Sequence, residues 1–464
     1  MSPKIFRQFD RLEPRSDAGQ IRLSELLGLL GYALDMTEGQ PPGHSLRVCW
    51  IGTKLGQALG MGPQELSDLY FTLLLKDLGC SSNAARICAL YLTDDIDFKR
   101  DFKTIDGSLN AALRFVFAKS APDAGLAERV RAIVNILKNG GKISRDLIET
   151  RCHRGAEIAA KMRFSSAVQA GILSLDEHWD GSGKPQGLMA GAIPRAANIA
   201  LLAQVADVFS HASDPAAARR EVSARSGTWF DPTLVRVFQT ISSDPAFWRT
   251  LAAPDLEAQV FALPPGAQSA AVDEGWLDDI AEAFADVVDA KSPFTADHSR
   301  RVTLYTDMIA EQLGFAADHR RWLRRAALLH DLGKLSVSNA ILDKPAKLDP
   351  DEWAKVRTHS WHSERILERI AVFHDIAPIA GAHHERLDGK GYPNGLAGPA
   401  LCLEVRILSV ADVFDALSAE RPYRAALPIA RVFEMMQADI GTALDGECVS
   451  ALQLALARLQ SVAA

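Results

Sequence analysis

Leu329-His330-Asp331-Leu332-Gly333-Lys334 is followed by His359, by His383-His384-Glu385-Arg386-Leu387-Asp388-Gly389-Lys390-Gly391-Tyr392-Pro393, and by Ala411-Asp412-Val413-Phe414-Asp415. Packing periodicity accounts for the Leu and Ala of these runs. It accounts for none of the four histidines, nor for Asp331 and Asp412. Imidazole and carboxylate are the usual ligands of hydrolytic metal ions. With His298 upstream, the series is His298, His330, Asp331, His359, His383, His384 and Asp412. Seven such ligands exceed what one catalytic ion takes and suffice for two.

The surrounding chain reads as nearly all α. Leu23, Leu26, Leu27 and Leu30 form one stripe from Ile21 onward. Trp276, Ile280, Phe284 and Val287 form another over Trp276–Asp289. Thr295 is the expected N-cap of a helix from His298 to Leu313. A helix from Arg321 delivers His330 and Asp331 at its C-terminal end, before Gly333.

The chain also repeats itself. Gly43-His44-Ser45-Leu46-Arg47-Val48 matches Asp297-His298-Ser299-Arg300-Arg301-Val302 at an offset of 254 residues. Lys76-Asp77-Leu78-Gly79 matches His330-Asp331-Leu332-Gly333 at the same offset. Glu177 to Pro185 then matches Glu385 to Pro393 at 208, which places an insertion around 94–141 in the first copy. Residues 1–262 are one copy, 263–272 a Pro/Gly linker and 273–464 the other. The first copy has Lys76 for His330, Cys80 for Lys334, Leu175 and Asp176 for His383 and His384, Lys184 for Tyr392 and Gln204 for Asp412. His44 and Asp77 are kept, and His153 sits near the third-histidine position. Such a set is not expected to hold two ions.

Composition narrows the class further. The 464 residues are 48% hydrophobic and 23% charged, ordinary for a globular protein. A net charge of −7 gives no reason to expect nucleic-acid binding. Six cysteines without a Cys-x-x-Cys pair read as buried thiols of a cytoplasmic protein. No signal-peptide or membrane-spanning run is seen. A Ser-His-Asp hydrolase is disfavoured, since no Gly-x-Ser-x-Gly elbow is present.

The His-Asp pair and the Gly-Tyr-Pro string, over roughly Asp273 to Leu427, resemble the HD-GYP family of cyclic di-GMP phosphodiesterases. The resemblance implies tandem HD-domain helical bundles, the first degenerate. It implies that His298, His330, Asp331 and Asp412 hold one ion and that His359, His383 and His384 hold a second, with Asp331 shared. Iron or manganese is expected by that likeness. Some members place a Glu four residues before the first histidine and bind a third ion; here that residue is Phe294, so two are expected. Lys334, Arg421 and Arg424 are the expected phosphate or guanine contacts, and Tyr392 a base-stacking group. Asp415 is expected to orient a ligand or an arginine. The expected reaction is hydrolysis of cyclic di-GMP to pGpG and GMP by a metal-activated water, with Asp331 and Lys334 central. Two alternatives are a cyclic di-GMP sensor or scaffold with little turnover, and a phosphohydrolase of another nucleotide. A GGDEF-type partner and a homodimer fit the first of these.

Overall fold

The computed structural model describes residues 22–105, 109–120, 125–263, 272–420 and 424–463. Among these the chain is helical, with three isolated bridges and no strand. One compact unit comprises Asp273–Val337 and Ile341–Ala464; the other comprises Gln20–Val272 and Ser338–Ala340. The polar segment 1–20 and the linker residues 264–271 lie outside the described residues. No helix among the described residues is long and apolar enough to cross a membrane.

In the second copy, the Asp273 carboxylate accepts from the Trp276 amide at 2.6 Å and starts the Glu274–Asp289 helix. That helix buries Leu277, Ile280, Phe284, Val287 and Val288. Each such side chain contributes about 1.5–3 kcal/mol when fully buried. The Ala317–Leu329 helix buries Trp322, Leu323, Ala326 and Leu329 and hands the chain to His330. It packs on His298–Gln312, which also packs on Leu403–Ser418. The Pro350–Glu368 helix opens with a reciprocal cap. Asp349 accepts from the Glu352 amide at 2.9 Å, and Glu352 accepts from the Asp349 amide at 2.8 Å.

Two helix starts differ from the sequence reading: the chain coils at Leu23 and at Ala317. Thr295 does not cap the next helix. Its hydroxyl donates to the carbonyls of Asp289 and Ser292, both at 3.0 Å. The chain enters the helix instead through Asp297, at φ +56°. The turn before it is pinned by Asp289, which accepts from the Ser299 amide at 3.0 Å and hydroxyl at 2.8 Å. The first copy repeats the device: Asp35 accepts from the Ser45 amide at 2.9 Å and from its hydroxyl at 2.5 Å.

The expected insertion contains the Asp95–Phe102 and Leu109–Lys119 helices and the start of Leu126–Lys161. It carries a small core of its own. Tyr91 stacks on Phe98 at 4.3 Å between centroids, and Phe115 meets Phe98 edge-on at 5.2 Å. Ile87, Val116 and Ile136 close this cluster.

One close approach sets the position of His359. A Cβ on Gly333 would lie 1.9 Å from the His359 carbonyl oxygen, so only glycine lets that helix come so near. Gly79 stands in the same relation to the Arg151 carbonyl, also at 1.9 Å. Gly333→Ala should therefore force the helix outward and cost at least the ~1–3 kcal/mol of ordinary overpacking. Thermal denaturation measures this; an unchanged midpoint would show that the contact is not restrictive.

Candidate metal centre

Seven side chains converge in the second copy, brought by five segments. His298 is the first residue of its helix, and His330 and Asp331 follow the end of Ala317–Leu329. His359 lies in Pro350–Glu368, His383 and His384 follow Ala377–Ala382, and Asp412 lies in Leu403–Ser418. All are buried except His384, which is half-buried.

Hydrogen bonds fix which nitrogen each imidazole offers. The Nδ1 atoms of His330, His359 and His383 donate to the carbonyls of Ala327, Val356 and Ala380, each at 2.6 Å and each three residues back. A carbonyl cannot donate, so Nδ1 carries the proton and Nε2 turns inward. His298 is held differently. Its Nδ1 pairs with Asp415 Oδ2 at 2.7 Å, and Arg301 clamps the same carboxylate at 2.6 and 3.0 Å. Asp415 thus orients both His298 and Arg301.

The two oxygens of Asp331 face different partners. Oδ2 lies 3.3 Å from Nε2 of His298 and 3.3 Å from Nε2 of His330. Oδ1 lies 3.3 Å from Nε2 of His359 and 3.9 Å from Nε2 of His383. Asp412 Oδ1 adds to the first set, 3.5 Å from His298 and 4.0 Å from His330. Asp412 Oδ2 is 3.8 Å from His384 Nδ1. The donor atoms of His298, His330 and Asp412 lie within 4.8 Å of one another, as do those of His359, His383 and His384.

This arrangement fits divalent ions on its own chemistry. Nε2 of His298, Nε2 of His330 and Oδ1 of Asp331 are buried without a hydrogen-bond partner. Nε2 of His359 and of His383 face each other at 3.4 Å. Burial pushes both imidazoles down, to about 4 and about 3, so both are neutral at pH 7. Burial works to raise Asp331, but His330 and Lys334 outweigh it and hold the carboxyl well below its usual range. Burial likewise opposes the charge on His298, yet Asp331 and Asp415 outweigh it and raise the imidazole to about 9. With Nδ1 protonated on both, the neutral His359 and His383 turn two Nε2 lone pairs toward each other, and these repel unless a cation lies between them.

The expected substrate contacts divide. Lys334 Nζ bonds Asp331 Oδ2 at the edge of the pocket. Tyr392 lies against His384, with ring centroids 4.8 Å apart. Arg424 lies outside any helix, and its Nη atoms donate to the carbonyls of Ala416, Leu417 and Ala425 at 2.7, 2.9 and 3.1 Å. Arg421 lies outside the described residues.

The Gly-Tyr-Pro turn is held by Glu385, which accepts from the amides of Asn394 at 2.6 Å and Leu396 at 2.9 Å. Asp388 N donates to the Thr442 carbonyl at 2.8 Å. The turn at Gly441-Thr442-Ala443-Leu444-Asp445-Gly446 keeps the form of Gly227-Thr228-Trp229-Phe230-Asp231-Pro232 in the first copy, although it lacks the Phe and Pro. Gly441 N donates to the Leu444 carbonyl at 3.0 Å, as Gly227 N does to Phe230 at 2.9 Å. Leu444 is buried where Phe230 is.

In the first copy the clamp survives and the centre changes. Asp207 pairs with His44 Nδ1 at 2.7 Å and Arg47 Nε at 2.7 Å. The Arg at the third position after each histidine was the signal that could have revealed Arg301. Lys76 Nζ, fully buried, lies 3.3 Å from His44 Nε2, 2.8 Å from Gln204 Oε1, and bonds Asp77. These are the counterparts of His298, Asp412 and Asp331. His153 is not the third-histidine counterpart: it is exposed, and the Gly79 contact puts Arg151 there instead. Arg151 pairs with Asp176, the counterpart of His384. The first copy therefore supplies each half of its centre with a basic side chain. Sequence comparison missed Arg151 because the insertion hides the register of its helix.

A family profile described as HD domain matches residues 108–234 and 282–448. The chain is 52% identical over 434 residues to the 3'3'-cGAMP-specific phosphodiesterase 3 of Vibrio cholerae, covering 94% of each chain. It is 37% identical over 181 residues to a cyclic di-GMP phosphodiesterase response regulator of Xanthomonas campestris, covering 39% of this chain and 48% of that one. Among solved structures, a cyclic GMP-AMP specific phosphodiesterase of Vibrio cholerae matches with a TM-score of 0.65 and 48% identity, covering 94% of this chain and 97% of that one.

Lys76→Met should strip buried Asp77 of its directly bonded cation, leaving only the more distant Lys103, and destabilise the first copy by about 3–5 kcal/mol. Chemical denaturation would show a lowered transition, equally with and without chelator. A variant as stable as the wild type would mean that Lys76 does not balance the site.

Proposed function

This chain belongs to the HD-domain family as a tandem HD-GYP protein, and on that premise we propose that its second copy is a metal-dependent phosphodiesterase of 3'3'-cyclic dinucleotides. The observation that carries the reading is Asp331, whose two oxygens face two separate imidazole sets. One ion would be held by His298, His330, Asp412 and Asp331 Oδ2. The other would be held by His359, His383, His384 and Asp331 Oδ1. Residues 1–262 act as the degenerate copy, joined through 263–272.

When bound, a pair of divalent ions lowers the pKa of an attacking water and offsets charge on the phosphate. Asp415 and Arg301 keep His298 turned inward, and the backbone carbonyls do so for His330, His359 and His383. Lys334, at the edge, moves from Asp331 to a phosphate oxygen when substrate enters. Tyr392 faces a base; Arg424, whose Nη atoms are held by backbone carbonyls, would have to leave them before it, with Arg421, could reach the far phosphate or a guanine edge. Water adds to phosphorus as the 3' oxygen leaves and takes up a proton. The product is a linear dinucleotide with a 5'-phosphate, and a second cut yields mononucleotides.

The motifs alone point to cyclic di-GMP. The relative that matches along nearly the whole chain is named for 3'3'-cGAMP, whereas the cyclic di-GMP relative matches over 39% of it. We therefore rank 3'3'-cGAMP first and cyclic di-GMP second. Initial rates on both, with purified protein loaded with iron or manganese, should give at least a tenfold higher kcat/KM for 3'3'-cGAMP. Faster turnover of cyclic di-GMP would reverse the order. Chelation, Asp331→Ala and His384→Ala should each reduce turnover to background. His384 is half-buried, so its variant separates lost chemistry from lost folding. Wild-type rates in both variants would rule the assignment out.

A further inference from the structure

The Pro350–Glu368 helix carries Trp353 and Arg357 one turn apart, ahead of His359. Trp353 is 42% exposed, unusual for so large an apolar ring on a solvent-facing turn. The Arg357 guanidinium lies over two rings at once, 5.5 Å from the centroid of Trp353 and 5.3 Å from that of Tyr392. Trp353 and Tyr392 meet at 6.4 Å between centroids, inclined at 70°. Tyr392 in turn lies against His384. A continuous wall of rings and one guanidinium therefore runs from the candidate metal centre to the surface.

The same helix provides its own control. Trp361 is 44% exposed, and Arg365 lies over it at 5.5 Å. That pair touches no site residue, and Arg365 is neutralised by Glu368 at 3.0 Å. Arg357 has no ion-pair partner among the described residues. A cation set against two aromatic rings, without a carboxylate partner among the described residues, suits an anionic, flat ligand. Stacking on such a platform is indifferent to base identity but requires a π-face.

We propose that Trp353, Arg357 and Tyr392 form a stacking subsite for one nucleobase of the substrate, outside the ring of candidate metal ligands. This rests on the cyclic-dinucleotide reading above. Trp353 and Arg357 act on substrate affinity, and the hydrolytic step is left to the centre beneath.

Steady-state kinetics of the full chain on 3'3'-cGAMP test this. Trp353→Ala and Arg357→Ala should raise KM about tenfold with kcat within twofold. Trp353→Phe should recover most of the loss, and Trp361→Ala should match the wild type. An unchanged KM in the two alanine variants, with an active wild type, overturns the subsite and leaves the activity standing. If the wild type turns over no cyclic dinucleotide, the activity assignment fails, and calorimetric titration with 3'3'-cGAMP decides the subsite separately. Binding weakened about tenfold by Trp353→Ala supports it. Binding that is absent in the wild type, or equal in both proteins, overturns it.

Discussion

The second copy depends on the electrostatics of one buried carboxylate. Asp331 is almost fully excluded from water, and both of its oxygens face imidazole nitrogens. Leaving such an oxygen unpaired costs several kcal/mol. The surrounding helices nonetheless turn the imidazoles onto it, through backbone carbonyls and the Arg301–Asp415 clamp. Architecture that enforces converging acceptors makes sense when a cation completes it, and the centre fits divalent ions for that reason.

The first copy shows another solution to the same constraint. Its clamp of Arg47 and Asp207 around His44 and its Asp35–Ser45 turn are retained. Glu177 pins its turn through the amides of Gln186 and Leu188, at 2.6 and 2.9 Å, as Glu385 does in the second copy. What differs is that the first copy sets basic side chains at its centre. Lys76 and Arg151 each stand against a carboxylate. Burial works to raise Asp77, and Lys76 and Lys103 outweigh it and keep it ionised. Features common to both copies therefore belong to the fold, and features confined to the second belong to its chemistry.

That division also explains which details the sequence made legible. His330-Asp331 is one short run and His383-His384 with the Gly-Tyr-Pro turn another, so local spacing within each revealed them. The repeat exposed the substitutions at Lys76, Leu175, Asp176 and Gln204 for the same reason. The sequence pointed to His153 near the third-histidine position and passed over Arg151, because a long helix hides its register until Gly79 packs against it. Thr295 read as a cap, but its hydroxyl had carbonyls nearer to hand. Trp353 and Arg357 carried no recognisable motif; their meaning comes from Tyr392, which is remote in the chain.

By itself the sequence determined the all-helical class, the doubling of the domain and the kinds of ligand available, since side-chain chemistry and helical periodicity are local properties. Tertiary structure alone decided which oxygen of Asp331 meets which histidines, which nitrogen each imidazole presents, and that Lys76 and Arg151 stand against Asp77 and Asp176 in the other copy. Those outcomes hang on packing between segments far apart in the chain, where a few tenths of an ångström separate a ligand from a neighbour.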